Sequence, residues 1–134
     1  MAGREAIQAL IHEAYEARRK GDLDGVVTAF HDGGRFELSA EPKTFALAGA
    51  IEGHSNLRQA MTQFIANFQF VQRDILSLIV EGDHACVRSR VKVRFVPKSE
   101  TFETEIVDLF RFKDGKIDEL VEFADTALIN KMMS

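Results

Sequence analysis

Apolar positions recur at helical spacing through the first half of the chain and alternate residue by residue through the second. In residues 4–20, Ile7, Leu10, Ile11 and Ala14 share one stripe of a helix, with Tyr15 at its edge and His12 off it. Arg18, Arg19 and Lys20 fill the last turn, where cations suit the helix dipole, and Gly21 stops the helix. Asp22 predicts the cap of a shorter second helix, with Leu23, Val26, Val27 and Phe30 buried, and His31-Asp32-Gly33-Gly34 breaks it. Residues 35–40 predict a short strand. Residues 41–53 predict an irregular loop, broken at Pro42, Gly49 and Gly53. Phe45, Leu47 and Ile51 make that loop apolar enough to cover a cavity mouth. Ser55 predicts the cap of a third helix, whose stripe is Leu57, Met61, Phe64 and Phe68.

From here the period becomes two. Residues 75–81 predict a first long strand. Residues 84–96 alternate Ala85, Val87, Val91, Val93 and Phe95 with Arg88, Arg90, Lys92 and Arg94. Residues 101–112 return, Asp114-Gly115 marks a hairpin, and residues 117–124 form the last strand. Asp125 caps a short terminal helix carrying Leu128, Ile129 and Met132. Helices followed by hairpin-linked strands predict an α+β fold with helices on one face of a curved, mostly antiparallel sheet. No repeat or linker interrupts residues 1–134, which predicts a single domain.

Composition narrows the function. A net charge of -4 argues against nucleic-acid binding. No apolar run approaches the roughly 20 residues that cross a bilayer, and Met1-Ala-Gly-Arg-Glu5 lacks the apolar core of a signal peptide. Cys86 is the lone cysteine, expected to be a structural thiol in a reducing, cytoplasmic setting. Eleven Phe and no Trp predict a large, dry interior, in which Tyr15 is the one aromatic hydroxyl. There is no phosphate loop or dinucleotide fingerprint, so no cofactor is expected. His12, His31, His54 and His84 lack metal-ligand spacing, so no metal is expected either; His54 stands beside the apolar loop.

The candidate chemistry centres on Asp108. On a strand it shares a face with Ile106, Phe110 and Phe112, and burying a carboxyl there costs free energy unless it is bonded, paired or protonated. It reads either as a site acid or as a buried polar residue satisfied by a neighbour. Tyr15 reads as a second donor, or as a buried ring with a wet hydroxyl. Glu119 and Glu122 have opposite parity, so only one faces inward; Val121 and Phe123 on the face of Glu119 look like core, and Glu122 lies between Leu120 and Ala124. Phe36, Leu38, Phe64, Phe68, Phe110 and Phe112 are expected to line the interior. The alternation puts the four cations of residues 84–96 outside, with Arg90 the one that a bulge would turn inward.

Four stretches carry a resemblance: Lys20-Gly-Asp-Leu-Asp-Gly-Val-Val-Thr-Ala-Phe30, Gly49-Ala-Ile-Glu-Gly-His54, Val107-Asp-Leu-Phe-Arg-Phe-Lys-Asp-Gly-Lys-Ile117, and Glu122-Phe-Ala-Asp-Thr-Ala-Leu128. In this order they resemble the nuclear transport factor 2-like superfamily, in particular its ketosteroid isomerase-like and SnoaL-like members. The resemblance implies a cone-shaped α+β barrel with a deep apolar cavity, dimeric through its outer sheet face. It implies that Asp108 matches a buried acid that stays protonated to bond an oxyanion. The matching tyrosine position is Ala14, one residue before Tyr15 and about 100° away around the helix. The matching base position is Leu38, which takes no proton, so steroid isomerisation by that mechanism is not expected. A gap-free match would place Arg88, Arg90, Lys92 and Arg94 inside, against the alternation. The expected ligand is a small apolar or partly polar organic molecule. The expected chemistry is cofactor-independent isomerisation, cyclisation or dehydration by Asp108 and Tyr15, with Glu122 as candidate base. The alternative is a non-catalytic ligand-binding or protein-interaction module.

Overall fold

A computed structural model describes residues 3–134; Met1 and Ala2, at the start of the segment read for a leader, lie outside the described residues. Helix α1 (Arg4–Lys20) buries Ile7 and Ile11, and Gly21 ends it in the left-handed conformation that a residue without Cβ adopts at least cost. Asp22 caps α2 (Leu23–Thr28) by accepting from the Gly25 amide at 3.0 Å. Strand β1 then runs Phe30–Leu38. His31 to Gly34, read as a break, lies inside it as an irregularity in the register between Phe30 and Arg35.

The loop read at residues 41–53 contains a short strand, β2 (Gly49–Glu52), paired antiparallel with β1. Its apolar part turns inward: Phe45 is fully buried, and Asn130 Nδ2 donates to Thr44 O at 2.6 Å, tying the loop to the C-terminal helix. Helix α3 (His54–Asn67) starts one residue before the expected cap Ser55; Gly53, at φ 84°, occupies the cap position without a side-chain bond. Phe68 is not its last stripe residue but the first of β3 (Phe68–Glu81), which therefore begins well before Ile75.

Strands β4 (His84–Phe95), β5 (Glu100–Lys113) and β6 (Lys116–Phe123) follow as a meander, and α4 (Thr126–Met133) is capped by Asp125. Asp114 and Gly115 both take positive φ, the two-residue hairpin geometry that the DG pair favours. The sheet order is β2-β1-β6-β5-β4-β3, with β1 and β6 parallel and the other pairs antiparallel. The curved sheet is not closed, since β2 and β3 remain edges. The helices cover its concave face, where Ile11, Leu57, Phe36, Phe110 and Ile117 form the main core. A smaller cluster of Val91, Val93 and Ile106 extends it towards Phe68, Phe70 and Phe102. Among the described residues no helix is long and apolar enough to cross a membrane.

Candidate functional site

Between the helices and the concave sheet lies a pocket whose apolar wall includes Phe36, Leu38, Phe45, Phe64, Phe68 and Phe110. Its polar lining is Tyr15 and Arg18 from α1, Arg73 from β3, Thr104 from β5 and Glu122 from β6. Asp108 stands just behind these groups. It is 1% exposed and is not itself part of the pocket wall. Tyr15 donates its hydroxyl to Asp108 Oδ2 at 2.6 Å, and Arg73 Nη1 lies 3.7 Å from the same oxygen. Arg73 also donates to Ser89 Oγ at 3.2 Å, so one guanidinium serves both buried polar residues of the sheet. Burying a carboxylate with one partner removed costs several kcal/mol; here two partners converge on one oxygen. The other, Oδ1, is buried and accepts from no amide, hydroxyl or cation among the described residues, which leaves the Glu122 carboxyl opposite as the group that bonds Asp108 when it carries a proton.

Glu122 is paired directly across from Asp108 in the β5–β6 register, so both carboxyls leave the sheet on the concave face. Burial first, and then the charge of Asp108, hold the Glu122 carboxyl well above the usual carboxylate range. Burial and Asp108 likewise push the Tyr15 hydroxyl far above its ordinary 10.0, which keeps it a donor. Arg73 stacks over the Tyr15 ring at 3.7 Å and lies 5.0 Å from the Phe70 ring; Arg18 approaches Phe70 at 4.5 Å. Arg18 Nη2 donates to Phe64 O at 3.1 Å and Phe68 O at 2.7 Å, and burial lowers its pKa to about 10.

Tyr15, Glu122, Phe36, Leu38, Phe64, Phe68 and Phe110 line one pocket. Phe112 does not: it is buried behind the wall, stacked on Phe110 at 5.6 Å. Arg90 does not either. It points outward, half exposed, 3.6 Å from Glu103, because no irregularity in β4 against β5 turns it. The face assigned to Glu119 is reversed. Phe123 is 43% exposed and Glu119 bonds Arg35 at 2.9 Å on the outer side, while Leu120 and Ala124 face inward with Glu122. An irregularity between Arg111 and Phe112 shifts the parity at the start of β6. His54 bonds Phe30 O at 2.8 Å and does not reach the pocket.

Two pocket residues were not legible as such. Arg18 read as a dipole-complementing cation, although its position seven residues after Ile11 places it on the buried stripe. Arg73 lay just before the strand predicted at residues 75–81, and its inward parity follows from a bulge at Val71, where the β3–β4 register slips. Among the described residues, no group of three His, Cys, Asp or Glu is placed to hold a metal ion.

Solved structures share this fold. A nuclear transport factor 2-like protein of unknown function from Burkholderia pseudomallei K96243 is 20% identical, with a TM-score of 0.83 over 100% of this chain and 99% of that one. TerC, co-crystallised with polyporic acid, is 18% identical, with a TM-score of 0.80 over 96% and 97%. A hypothetical protein with a ketosteroid isomerase-like fold from Catenulispora acidiphila DSM 44928, in complex with trimethylamine, is 13% identical, with a TM-score of 0.71 over 84% of this chain and 82% of that one. At these identities the likeness is one of fold. No curated protein matches the chain. The SnoaL-like domain model matches residues 11–120. Both ends of the site, Tyr15 on α1 and Leu120 beside Glu122 on β6, fall in or next to that span, and the chain belongs to the SnoaL-like domain family.

Proposed function

We propose that this protein binds a small, largely apolar organic molecule in the concave pocket and performs cofactor-independent acid–base chemistry on it. The observation that carries this reading is the pairing of two carboxyls in unequal surroundings. Asp108 accepts from Tyr15 and lies beside Arg73, whereas Glu122 lines the pocket, where burial and the neighbouring Asp108 favour its protonated form. Of the two facing acids, the one that lines the pocket is the one that keeps its proton. Glu122 is then the proton donor to a ligand oxygen. Asp108, set behind the wall, acts through Tyr15 and through Glu122, so it is a positioning residue rather than a catalytic one. Glu122 thereby takes the donor role that the resemblance implied for Asp108. Ketone–enol isomerisation, ring closure on a carbonyl and dehydration all need such a donor beside an apolar body.

Turnover of enolisable ketones and polyketide-like esters, followed by mass spectrometry, tests it. Glu122→Gln is expected to lower turnover about 10²- to 10⁴-fold, the usual worth of one positioned acid or base. Full turnover in that variant would remove the assignment.

Leu38 favours a second reading, a non-catalytic binding module. It pairs with Glu122 across β1 and β6 and offers no second titrating group there. Ligand retention without conversion across the whole panel would select that reading.

We also propose that a second copy of the chain covers the convex sheet face. Ile79, Cys86, Leu109 and Val121 are cross-strand neighbours in one row over β3, β4, β5 and β6. Such a row is self-complementary under a twofold axis.

A further inference from the structure

The pocket's charge does not balance, and resting on the reading above, this imbalance names a ligand class. Two guanidiniums line the pocket, those of Arg18 and Arg73. Arg73 has a carboxylate partner, Asp108. Arg18 has no carboxylate within 4 Å among the described residues: its bonds go to two backbone carbonyls at the end of α3, through Nη2 alone, and the carboxyl whose charge would act on it is Glu122. The two cations also repel, since Arg73 acts on Arg18 in the same direction as its burial. With Glu122 holding its proton, Asp108 is the one carboxyl left to offset two guanidiniums, so positive charge remains unmatched inside an otherwise apolar chamber. An unpaired cation in such a place is costly, and an incoming anion relieves that cost.

We infer that the pocket takes an apolar organic acid as its monoanion, with the oxyanion held between the Arg18 guanidinium and the Glu122 carboxyl and the apolar body against Phe36, Phe64 and Phe110. The donors suit this ligand. A guanidinium gives charge-assisted bonds to an oxyanion, and a protonated carboxyl gives one more. Arg18 is also held in place beforehand by its two carbonyl bonds, so little side-chain entropy is lost on binding.

A pH dependence follows, with its sign fixed by the groups facing Glu122. These are Arg18 and Tyr15 from α1, Arg73 from β3 and Asp108 from β5. Tyr15 stays neutral and Arg18 stays charged over the accessible range. When Glu122 loses its proton, it supplies the missing negative charge and repels the ligand's. Affinity for an anion therefore falls as pH rises through the Glu122 transition.

The test compares 3-cyclohexylpropanoate, its primary amide and 3-cyclohexylpropylammonium, by calorimetry and by the emission of Tyr15. That emission reports the site directly, because the chain holds one Tyr and no Trp. The carboxylate is expected to bind at least about tenfold more tightly than either analogue, the margin of one charge-assisted bond over a neutral one. Arg18→Gln is expected to abolish that preference and Arg18→Lys to retain most of it. Should Arg18→Gln fail to fold, the three-ligand comparison and its pH dependence in the unaltered protein decide the matter alone. Equal affinity for amide and carboxylate overturns the inference and leaves the apolar pocket standing. Preference for the ammonium overturns it in favour of recognition by the acid pair. No binding of any of the three overturns the pocket reading itself.

Discussion

Glu122 sits where a carboxyl is poorly placed to ionise, facing Asp108 across a strand pair and lining an apolar pocket. Its proton affinity is higher in the folded chain than in the unfolded one, chiefly through burial. Such a group contributes stability that is fully present below the unfolded value, near 4.5, and is lost as pH rises through the folded value. The free energy of unfolding should therefore decline over that window by up to about 1.4 kcal/mol per pH unit, the slope for one proton. Glu122→Gln should flatten this decline, because an amide cannot ionise. Urea denaturation of both proteins at a series of pH values measures it. The exposed Glu16 and Glu105, which bonds to arginines hold below the usual range, act in the opposite direction but equally in both proteins, and so cancel. Parallel pH profiles would mean that Glu122 is ionised in the empty pocket. At this scale Asp108 was legible because a lone carboxylate interrupts an apolar alternation. Tyr15 was legible only as an edge position. Arg73 was hidden, since a bulge changes which residues share its face.

At the level of elements, the helices, the long β4–β5 hairpin and the DG turn follow from periodicity alone. The misses have one physical origin: short-range patterns were read as boundaries where tertiary pairing overrides them. His31-Asp32-Gly33-Gly34 looks like a helix terminator, yet it continues into β1, because β6 and β2 supply partners for the strand that follows. Gly34 is the residue that permits this. A Cβ there would come 2.8 Å from His31 O and 3.0 Å from Ile117 O, both backbone atoms that cannot swing away. Gly33 has open space around it. Gly34→Ala should destabilise the fold by about 1–3 kcal/mol, as overpacking does, while Gly33→Ala should stay within about 0.5 kcal/mol of the parent. Thermal and urea unfolding of the pair checks this, and equal effects at the two glycines would show that the close approach at Gly34 is not constraining. The same override explains β2, a strand too short and too mixed to announce itself, and the early start of β3, where Phe68 and Phe70 continue an apolar run from α3 without a turn signal.

For the whole molecule, the concave and convex faces of the sheet pose different problems. The concave face is covered by the chain's own helices. The convex face leaves Ile79 60%, Leu109 41% and Phe123 43% exposed. Contiguous apolar exposure of this kind marks an interaction surface. Beside it, Arg88 pairs with Glu105 at 2.6 Å and Arg90 lies 3.6 Å from Glu103, so both signs of charge stand next to the apolar row. A surface carrying both signs meets a rotated copy of itself without net repulsion, which a strongly single-signed partner would not. The outward cations of β4 are thus part of this face, which is why the alternation placed them correctly and a gap-free family match did not. The expected species in solution is a twofold dimer. Leu109→Glu, at the centre of the row, puts a charge against its own symmetry mate and should shift sedimentation equilibrium from twice the chain mass to the monomer. Far-UV circular dichroism and Tyr15 emission should remain those of the parent, because Leu109 points away from the pocket. A parent protein that sediments as a monomer at tens of micromolar would leave the convex row without its second copy.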